Sequence, residues 1–142
     1  RKKRSMYDAY SVHSVKIFKR PVMKKKTLIL GASSNPNRYS YLALEKLQRF
    51  GHPVIAIGRR NETVLGVDVK NTKELYDDVD TVTLYLNPAN QQPYYDYILS
   101  LHPRRIIFNP GTENAELLSM AAAKGIQTIE ACTLVMLSTG QY

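Results

Sequence analysis

The sequence predicts an α/β fold built on a parallel β-sheet, and two observations carry the prediction. Short apolar runs of four to six residues, typical of strands buried on both faces, recur from Thr27 onward. Segments with apolar residues at three- and four-residue spacing, typical of amphipathic helices, lie between them. Strands that alternate with helices require right-handed crossovers and a sheet covered on both faces. The predicted fold is a single doubly wound, Rossmann-like parallel sheet of about five strands with helices on both faces.

The five predicted strands are apolar, and most of them end at a turn-forming residue. They are residues 27–30, 53–57, 81–86, 105–108 and 126–131. The first is a continuous run, Thr-Leu-Ile-Leu, that follows three lysines and precedes Gly31. Residues 62–69 are interpreted as a loop or a small hairpin around Gly66, in addition to these strands.

The first predicted helix follows the turn after the first strand. Ser33, Ser34 and Asn35 are good N-cap residues, and Pro36 suits the first helical position. An apolar face runs through the segment to Gly51, which predicts the stop. We therefore expect a helix from about residue 36 to residue 50.

Four further helices are predicted. Asn71 and Glu74 have capping-box spacing, which predicts a short helix near residues 73–76. Pro93 indicates that the helix before the fourth strand begins no earlier than about Gln91. The last two helices are predicted before Gly125 and over residues 132–137.

The positive charge of the chain is concentrated at one end. The net charge is +8, but residues 1–26 hold ten Lys and Arg against one acid, so residues 27–142 are near neutral. Residues 1–24 are predicted to form a basic N-terminal arm, and residues 25–142 the folded domain. Because a nucleic-acid-binding domain carries its basic face on the folded body, nucleic acid is not the expected partner. The arm is interpreted as a solvated leader, with docking on an anionic partner as the alternative.

Several other classes of protein are excluded or disfavoured by composition. No stretch approaches the roughly 18–20 apolar residues of a membrane span. The single cysteine, Cys132, cannot form an internal disulfide, which fits a reducing compartment, and we expect a cytoplasmic protein. His52 and His102 follow predicted helix ends, so they are expected at the edge of the sheet opposite any ligand crevice. We predict neither a catalytic acid–base pair nor a metal site.

Turns at the carboxyl ends of the strands supply the candidate ligand-binding residues. In open α/β sheets these turns share one edge, and ligands bind in the crevice along it. The candidates are Gly31, Ala32, Ser33, Ser34, Asn35 and Arg38 after the first strand, Gly58, Arg59 and Arg60 after the second, Asn87 and Pro88 after the third, and Asn109, Pro110, Gly111 and Thr112 after the fourth.

The first two of these turns indicate a phosphorylated nucleotide. A helix start after Gly31 offers free amides and a partial positive charge to a pyrophosphate, and Arg38 adds a guanidinium. NAD sites place an acid after the second strand, whereas this chain has Arg59 and Arg60. Two guanidiniums favour a ribose phosphate, present in NADP and coenzyme A but not in NAD. The alternatives, an ordinary strand–turn–helix connection and a solvated basic loop, stay open for each turn taken alone.

Taken together, the motifs resemble those of small, stand-alone CoA-binding domain proteins, whose fold is similar to the nucleotide-binding domain of succinyl-CoA synthetase α subunits. The resemblance spans roughly residues 25–142. The motifs that carry it are Gly31-Ala-Ser-x-Asn-Pro-x-Arg38, the Gly58 turn, Asp80-Thr-Val-Thr-Leu-Tyr, Phe108-Asn-Pro-Gly-Thr-Glu113 and Ala131-Cys-Thr-Leu-Val.

The resemblance implies coenzyme A as ligand. It implies the pyrophosphate at residues 33–38 and the adenosine end beside residues 58–60 and Asn87-Pro88. The related ligases use a phosphorylated histidine, but no histidine follows the Gly-Thr-Glu segment here, so we expect binding without catalysis. Two alternatives remain: an NADP-dependent reductase, and an interaction protein with a vestigial pocket.

Two features are left with open interpretations. Cys132, at the end of the fifth strand, is interpreted as a small buried residue, with a redox role, a mixed disulfide with CoA, as the alternative. The tyrosines of two predicted helices are interpreted as packing residues, with covering an adenine or lining a homodimer contact as further roles. They are Tyr39, Tyr41, Tyr94, Tyr95 and Tyr97.

Overall fold

A seven-stranded β-sheet runs through the molecule in the computed structural model, which describes residues 23–142. Most of the predicted basic arm therefore lies outside the described residues. The strands are β1 (Thr27–Ala32), β2 (Val54–Gly58), β3 (Glu62–Val64), β4 (Val67–Lys70), β5 (Thr81–Leu84), β6 (Arg105–Phe108) and β7 (Gln127–Glu130). Their order across the sheet is β3-β4-β2-β1-β5-β6-β7. Six strands are parallel, and β3 alone runs antiparallel to its neighbour, β4.

The predicted number of strands, about five, was too low because the segment around Gly66 belongs to the sheet. Leu65 and Gly66 both have positive φ angles, +50° and +81°, as a tight two-residue hairpin turn requires. Val64 and Val69 are buried on one face, and β4 pairs in parallel with β2. The hairpin β3–β4 therefore extends the sheet beyond β2.

Helices cover both faces of the sheet, as predicted. They are α1 (Tyr39–Arg49), α2 (Pro88–Gln91), α3 (Tyr95–Ser100), α4 (Ala115–Ala123) and α5 (Thr133–Ser138), with one 3-10 turn over Gln92–Tyr94. One buried cluster lies under α1 and α5, and the other lies under α3 and α4. Within the described part of the chain, no helix has the length and apolar character needed to cross a membrane.

One predicted helix start was wrong by about three residues. The helix predicted from about Pro36 begins at Tyr39, because Asn35 organises a turn first. Its side-chain oxygen accepts from the Asn37 amide at 3.0 Å, and its carbonyl accepts from the Arg38 amide at 3.0 Å. The helix expected to begin no earlier than about Gln91 is α3, which begins at Tyr95, and a separate helix that was not predicted, α2, begins before it at Pro88.

The short helix predicted near residues 73–76 was also wrong. This segment has no regular secondary structure. The Thr72 hydroxyl donates to the Glu74 carboxylate at 3.1 Å, and the Tyr97 hydroxyl donates to the Glu74 carbonyl. In a helix the Glu74 carbonyl would accept from a backbone amide four residues later, but here it accepts from the Tyr97 side chain of α3.

Three consecutive lysines join distant segments at the amino edge of the sheet, immediately before β1. The ammonium of Lys24 donates to the Phe50 carbonyl at 3.0 Å, and that of Lys26 to the Asp77 carbonyl at 2.8 Å. The ammonium of Lys25 donates to the carbonyl of Tyr142. Each lysine therefore ties β1 to a segment at least 26 positions away in sequence.

Candidate functional site

A cavity of about 440 Å³ lies at the carboxyl edge of the sheet, above β1 and β2. The two turns that the sequence singled out form most of its wall. It is lined by Gly31, Ala32, Ser33, Ser34, Asn35 and Arg38, by Gly58, Arg59 and Arg60, and by Ser40, Ile57, Glu62, Leu86, Asn90 and Tyr94. The structure thus brings the first two predicted turns together at one cavity.

Two glycines allow the backbone segments around this cavity to approach one another. A β-carbon on Gly58 would lie 2.6 Å from the carbonyl oxygen of Ala32 and 2.9 Å from Cγ1 of Val69. Gly31 has a φ of +98°, and its β-carbon would lie 3.0 Å from the backbone of Tyr85. Neither position accepts a side chain without movement of neighbouring atoms, so both residues are required by shape.

The start of α1 lies at the cavity, since both Arg38 and Ser40 line it. Arg38 is the N-cap residue and makes no side-chain capping hydrogen bond, and the first turn of α1 contains no acidic residue. Before it, the Ser33 hydroxyl accepts from the Asn35 amide at 3.0 Å, which orders the turn. The partial positive charge of the helix start is therefore available to an anion.

Three guanidiniums line the cavity without carboxylate partners. Arg38, Arg59 and Arg60 are exposed. Within residues 23–142 the one ion pair closer than 4.0 Å joins Arg49 to Glu45, away from this site. Arginines that have no carboxylate partner can form charged hydrogen bonds with phosphate groups, and one of the three, Arg38, also lies at a helix start.

Five residues of this wall were not among the predicted candidates, namely Ser40, Ile57, Glu62, Leu86 and Asn90, and Tyr94 was predicted only as one of five tyrosines that could cover an adenine. Glu62 was interpreted as part of a loop or a small hairpin, with no ligand role, and it lies at the cavity because it begins β3. Leu86, Asn90 and Tyr94 follow β5, in a segment where helix α2 was not predicted. Asn87 is the N-cap residue of α2, and a proline follows it at the first helical position. This pair of residues is the sequence signal that could have predicted α2.

Asn87 and Pro88 do not line the cavity, but they place a residue that does. The Asn87 side chain accepts from the Asn90 amide at 2.9 Å, and Pro88 is the first residue of α2. Tyr94 is held from outside the cavity, since the Lys73 ammonium lies 5.3 Å from its ring centroid and donates to the Pro93 carbonyl at 2.7 Å. Ligand contacts from Asn87 and Pro88 stay a prediction.

The residues predicted after the fourth strand lie outside the cavity wall, and two of them are buried. The Asn109 amide donates to the Thr83 hydroxyl at 2.7 Å and to the Leu84 carbonyl at 2.9 Å. Its oxygen accepts from the Thr133 amide at 2.9 Å. Thr112 is buried as well, and its hydroxyl donates to the Asn109 carbonyl at 2.8 Å. The structure thus gives Asn109 and Thr112 a packing role.

Pro110 and Gly111 are exposed beside this network, and Cys132 is half-buried. Cys132 is the N-cap residue of α5, and it is not part of the cavity wall. Ligand contacts from residues 109–112 and the redox role of Cys132 stay predictions. No group of three or more His, Cys, Asp or Glu side chains in residues 23–142 is arranged to hold a metal ion.

The histidine after α1 lies at the amino edge, away from the cavity. Nδ1 of His52 accepts from the Lys25 amide at 3.0 Å, and its ring centroid lies 4.9 Å from that of Tyr142. Burial lowers the pKa of His52, and the nearby charges of Lys24, Lys25 and Arg105 lower it further. The neutral ring is therefore the form that fits this position.

Comparison with known proteins identifies a family. The family model described as "CoA binding domain" matches residues 25–138. None of the curated proteins compared with the chain matches it.

The chain is also similar to solved structures. A crystal structure of an uncharacterised protein is 53% identical, with a TM-score of 0.83, over 85% of this chain and 100% of that one. A hypothetical protein from Pyrococcus horikoshii OT3 has a TM-score of 0.75 at 22% identity, over 82% of this chain and 83% of that one. A Thermus thermophilus structure has a TM-score of 0.75 at 20% identity, over 84% and 91%. These last two similarities show the fold alone.

Proposed function

The chain belongs to the CoA binding domain family, and from this premise we propose that it binds coenzyme A in the cavity at the carboxyl edge. The observation that carries the proposal is the set of three guanidiniums, Arg38, Arg59 and Arg60, that line one cavity without carboxylate partners among the described residues. Coenzyme A carries a pyrophosphate and a ribose phosphate, so it offers anionic groups at two separate places.

In this proposal, one anionic group of coenzyme A binds at the turn after β1 and the other at the turn after β2. The pyrophosphate would lie against residues 33–38, where the helix start and Arg38 contribute positive charge. The ribose phosphate would lie beside Arg59 and Arg60. Because Gly58 has no side chain, the Ala32 carbonyl and the Val69 side chain can pack against it, which brings the two turns to the same cavity.

The size of the cavity supports a nucleotide ligand. Its volume of about 440 Å³ falls within the range of roughly 300–1,000 Å³ that small-molecule sites occupy. We assign it to the phosphorylated adenosine end of coenzyme A. The pantetheine arm would then leave the cavity along the sheet edge.

Binding without catalysis is part of the proposal. Of the residues that line the cavity in the described chain, Glu62 is the one carboxylate, and none is a histidine or a cysteine. A general acid or base must lie within hydrogen-bond reach of the proton that it transfers, and it is most often a histidine. The wall instead consists of phosphate-binding and shape-defining groups.

The test is a binding panel on the full chain with coenzyme A, dephospho-coenzyme A, NADP and NAD, read by thermal shift and calorimetry. Coenzyme A is expected to bind most tightly, and dephospho-coenzyme A and NAD more weakly, because they lack the ribose phosphate. Tighter binding of NADP would favour the reductase alternative. If no nucleotide raised the melting temperature, the pocket would be vestigial and the proposal would fail.

A second measurement needs no assumption about the ligand. Mass spectrometry of small molecules released from freshly purified protein should detect coenzyme A or an acylated form of it. Recovery of a different nucleotide would replace the proposed ligand with the one found.

A further inference from the structure

A carboxylate lies in the wall of the arginine-lined cavity. Glu62 begins β3 and pairs across the hairpin with Val69. Val69 in turn lies against Gly58, since its Cγ1 is 2.9 Å from the place of a β-carbon there. Glu62 is therefore next to the turn after β2, and it lines the same cavity as Arg59 and Arg60.

This carboxylate is unexpected in a site for a polyanion. In the described chain it makes no ion pair within 4.0 Å, although Arg59 and Arg60 line the same cavity. A negative charge near bound phosphates costs affinity, unless the carboxylate accepts a hydrogen bond that the ligand donates. The hydrogen-bond donors at the ribose end of such a ligand are hydroxyl groups.

We propose that Glu62 accepts a hydrogen bond from the ribose hydroxyl adjacent to the phosphate that Arg59 and Arg60 hold. This inference rests on the proposed function and adds a specificity determinant to it. In the 3′-phosphorylated ribose of coenzyme A, the hydroxyl is the 2′-hydroxyl. The phosphate and the hydroxyl are on neighbouring carbons, so the groups that bind them must also be neighbours. Glu62 and Arg60 are two positions apart and line one cavity.

The site would then recognise a ribose that carries a phosphate and a hydroxyl side by side. In NAD-binding sheets an acid after the second strand holds the ribose hydroxyls, and no phosphate is accepted there. Here the acid comes from the hairpin, and the arginines come from the end of β2. The division lets one site bind both groups of the same sugar.

The experiment uses two probes that differ by one oxygen atom, adenosine 3′,5′-bisphosphate and 2′-deoxyadenosine 3′,5′-bisphosphate. Calorimetry would compare the wild-type chain, Glu62→Ala and, as a matched control, Asp68→Ala. Asp68 lies on the same hairpin, where it accepts from the Thr63 hydroxyl at 3.2 Å, and it does not line the cavity. Thermal unfolding of each variant would verify that it is folded.

Glu62→Ala should weaken binding of the ribose probe and should not weaken binding of the deoxy probe. For the ribose probe, Glu62→Ala should weaken binding about tenfold, the scale of a lost hydrogen bond to a charged group. For the deoxy probe it should leave binding unchanged or strengthen it, because only repulsion is removed. Asp68→Ala should change the affinities of the two probes by the same factor, so it should keep the wild-type preference for the ribose probe.

Failure of the inference and failure of the proposed function are separable. If the wild-type chain binds both probes and Glu62→Ala tightens both, Glu62 is only a repulsive charge and the inference is wrong. If Glu62→Ala weakens both probes equally, the carboxylate supports the cavity and does not contact the hydroxyl, which also overturns it. If the wild-type chain binds neither the probes nor coenzyme A, the proposed function itself is overturned.

Discussion

The carbonyl oxygen of Ala32 lies 2.6 Å from the position that a β-carbon on Gly58 would occupy. These two residues are register partners at the ends of β1 and β2, where the pairing of the two strands shifts. The close approach brings the turn after β1 and the turn after β2 to the same cavity. A contact between two backbones thus determines whether the phosphate-binding groups act together.

Gly58→Ala should therefore destabilise the protein and weaken binding of coenzyme A. The added methyl group must displace a backbone carbonyl and the Val69 side chain, an overpacking that costs about 1–3 kcal/mol. Urea unfolding and calorimetry would measure the two effects. Gly125→Ala is the control, because no atom lies within 4 Å of that β-carbon and φ is +76°. It should cost about 1 kcal/mol of strain with no change in affinity.

Replacing either arginine after β2 should weaken coenzyme A and spare its dephosphorylated form. Arg59→Ala and Arg60→Ala each remove a charged hydrogen-bond donor, which costs about 1–3 kcal/mol of binding free energy. Dephospho-coenzyme A lacks the group these side chains are assigned to, so its affinity should change little. Arg49→Ala, which removes a guanidinium paired with Glu45 on α1, is the control. Equal losses for both ligands would contradict the assignment of the ribose phosphate.

Asn109→Ala should destabilise the fold even though the residue is outside the cavity wall. The change removes both hydrogen bonds that its amide donates and leaves the Thr133 amide unsatisfied in a buried place. The expected loss in unfolding free energy is about 2–4 kcal/mol, the cost of leaving such groups unpaired. Urea denaturation would measure it, with the exposed Asn71→Ala as the control. A loss as small as that of the control would show that the network is dispensable.

Stability should fall in mildly acidic solution because of His52. Its pKa is lowered in the folded state by burial, then by Lys24, Lys25 and Arg105, with Asp80 acting in the opposite direction. The unfolded chain therefore binds this proton more readily. The contribution to stability is complete above the ordinary pKa of 6.5, and it decreases as the pH falls from there through the lowered pKa.

His52→Asn should flatten this dependence. The amide oxygen of asparagine can accept from the Lys25 amide in place of Nδ1, and it has no proton to gain in this range. Unfolding free energies from pH 7.5 down to about 5 would measure the slope. The exposed His102→Asn is the control and should keep the wild-type slope. An unchanged slope in His52→Asn would assign the acid sensitivity to other groups.

Much of the fold was predictable because strand and helix periodicities are local properties of the chain. The apolar run at residues 27–30 predicts a strand, and Gly51 predicts the end of a helix, and each prediction depends on only a few neighbouring residues. The hairpin around Gly66 was harder, because its strands are only three and four residues long. Their pairing with β2 depends on a neighbour distant in sequence.

The candidate site was predictable to the extent that it is built from turns after strands. Arg59 and Arg60 could be placed because they directly follow an apolar run. Glu62 could not, since its position depends on the hairpin. Tyr94 could be named only as one of five candidate tyrosines, since its position depends on α2, which was not predicted. Asn109 has the same polar side chain whether it binds a ligand or satisfies Thr133, and only the three-dimensional contacts reveal the second role.

The lysines at residues 24–26 have a practical consequence for work with the protein. The ammonium groups of Lys24 and Lys26 donate to neutral carbonyls at 3.0 Å and 2.8 Å. These distances are within the Debye length of about 3 Å in 1 M salt, so salt screens these contacts less than the longer-range attraction between arginines and a solvated anion. A buffer of high ionic strength should accordingly weaken nucleotide binding at the carboxyl edge of the sheet, while the lysine contacts at the amino edge persist. Purification in about 1 M salt is thus a means of preparing ligand-free, folded protein for titration.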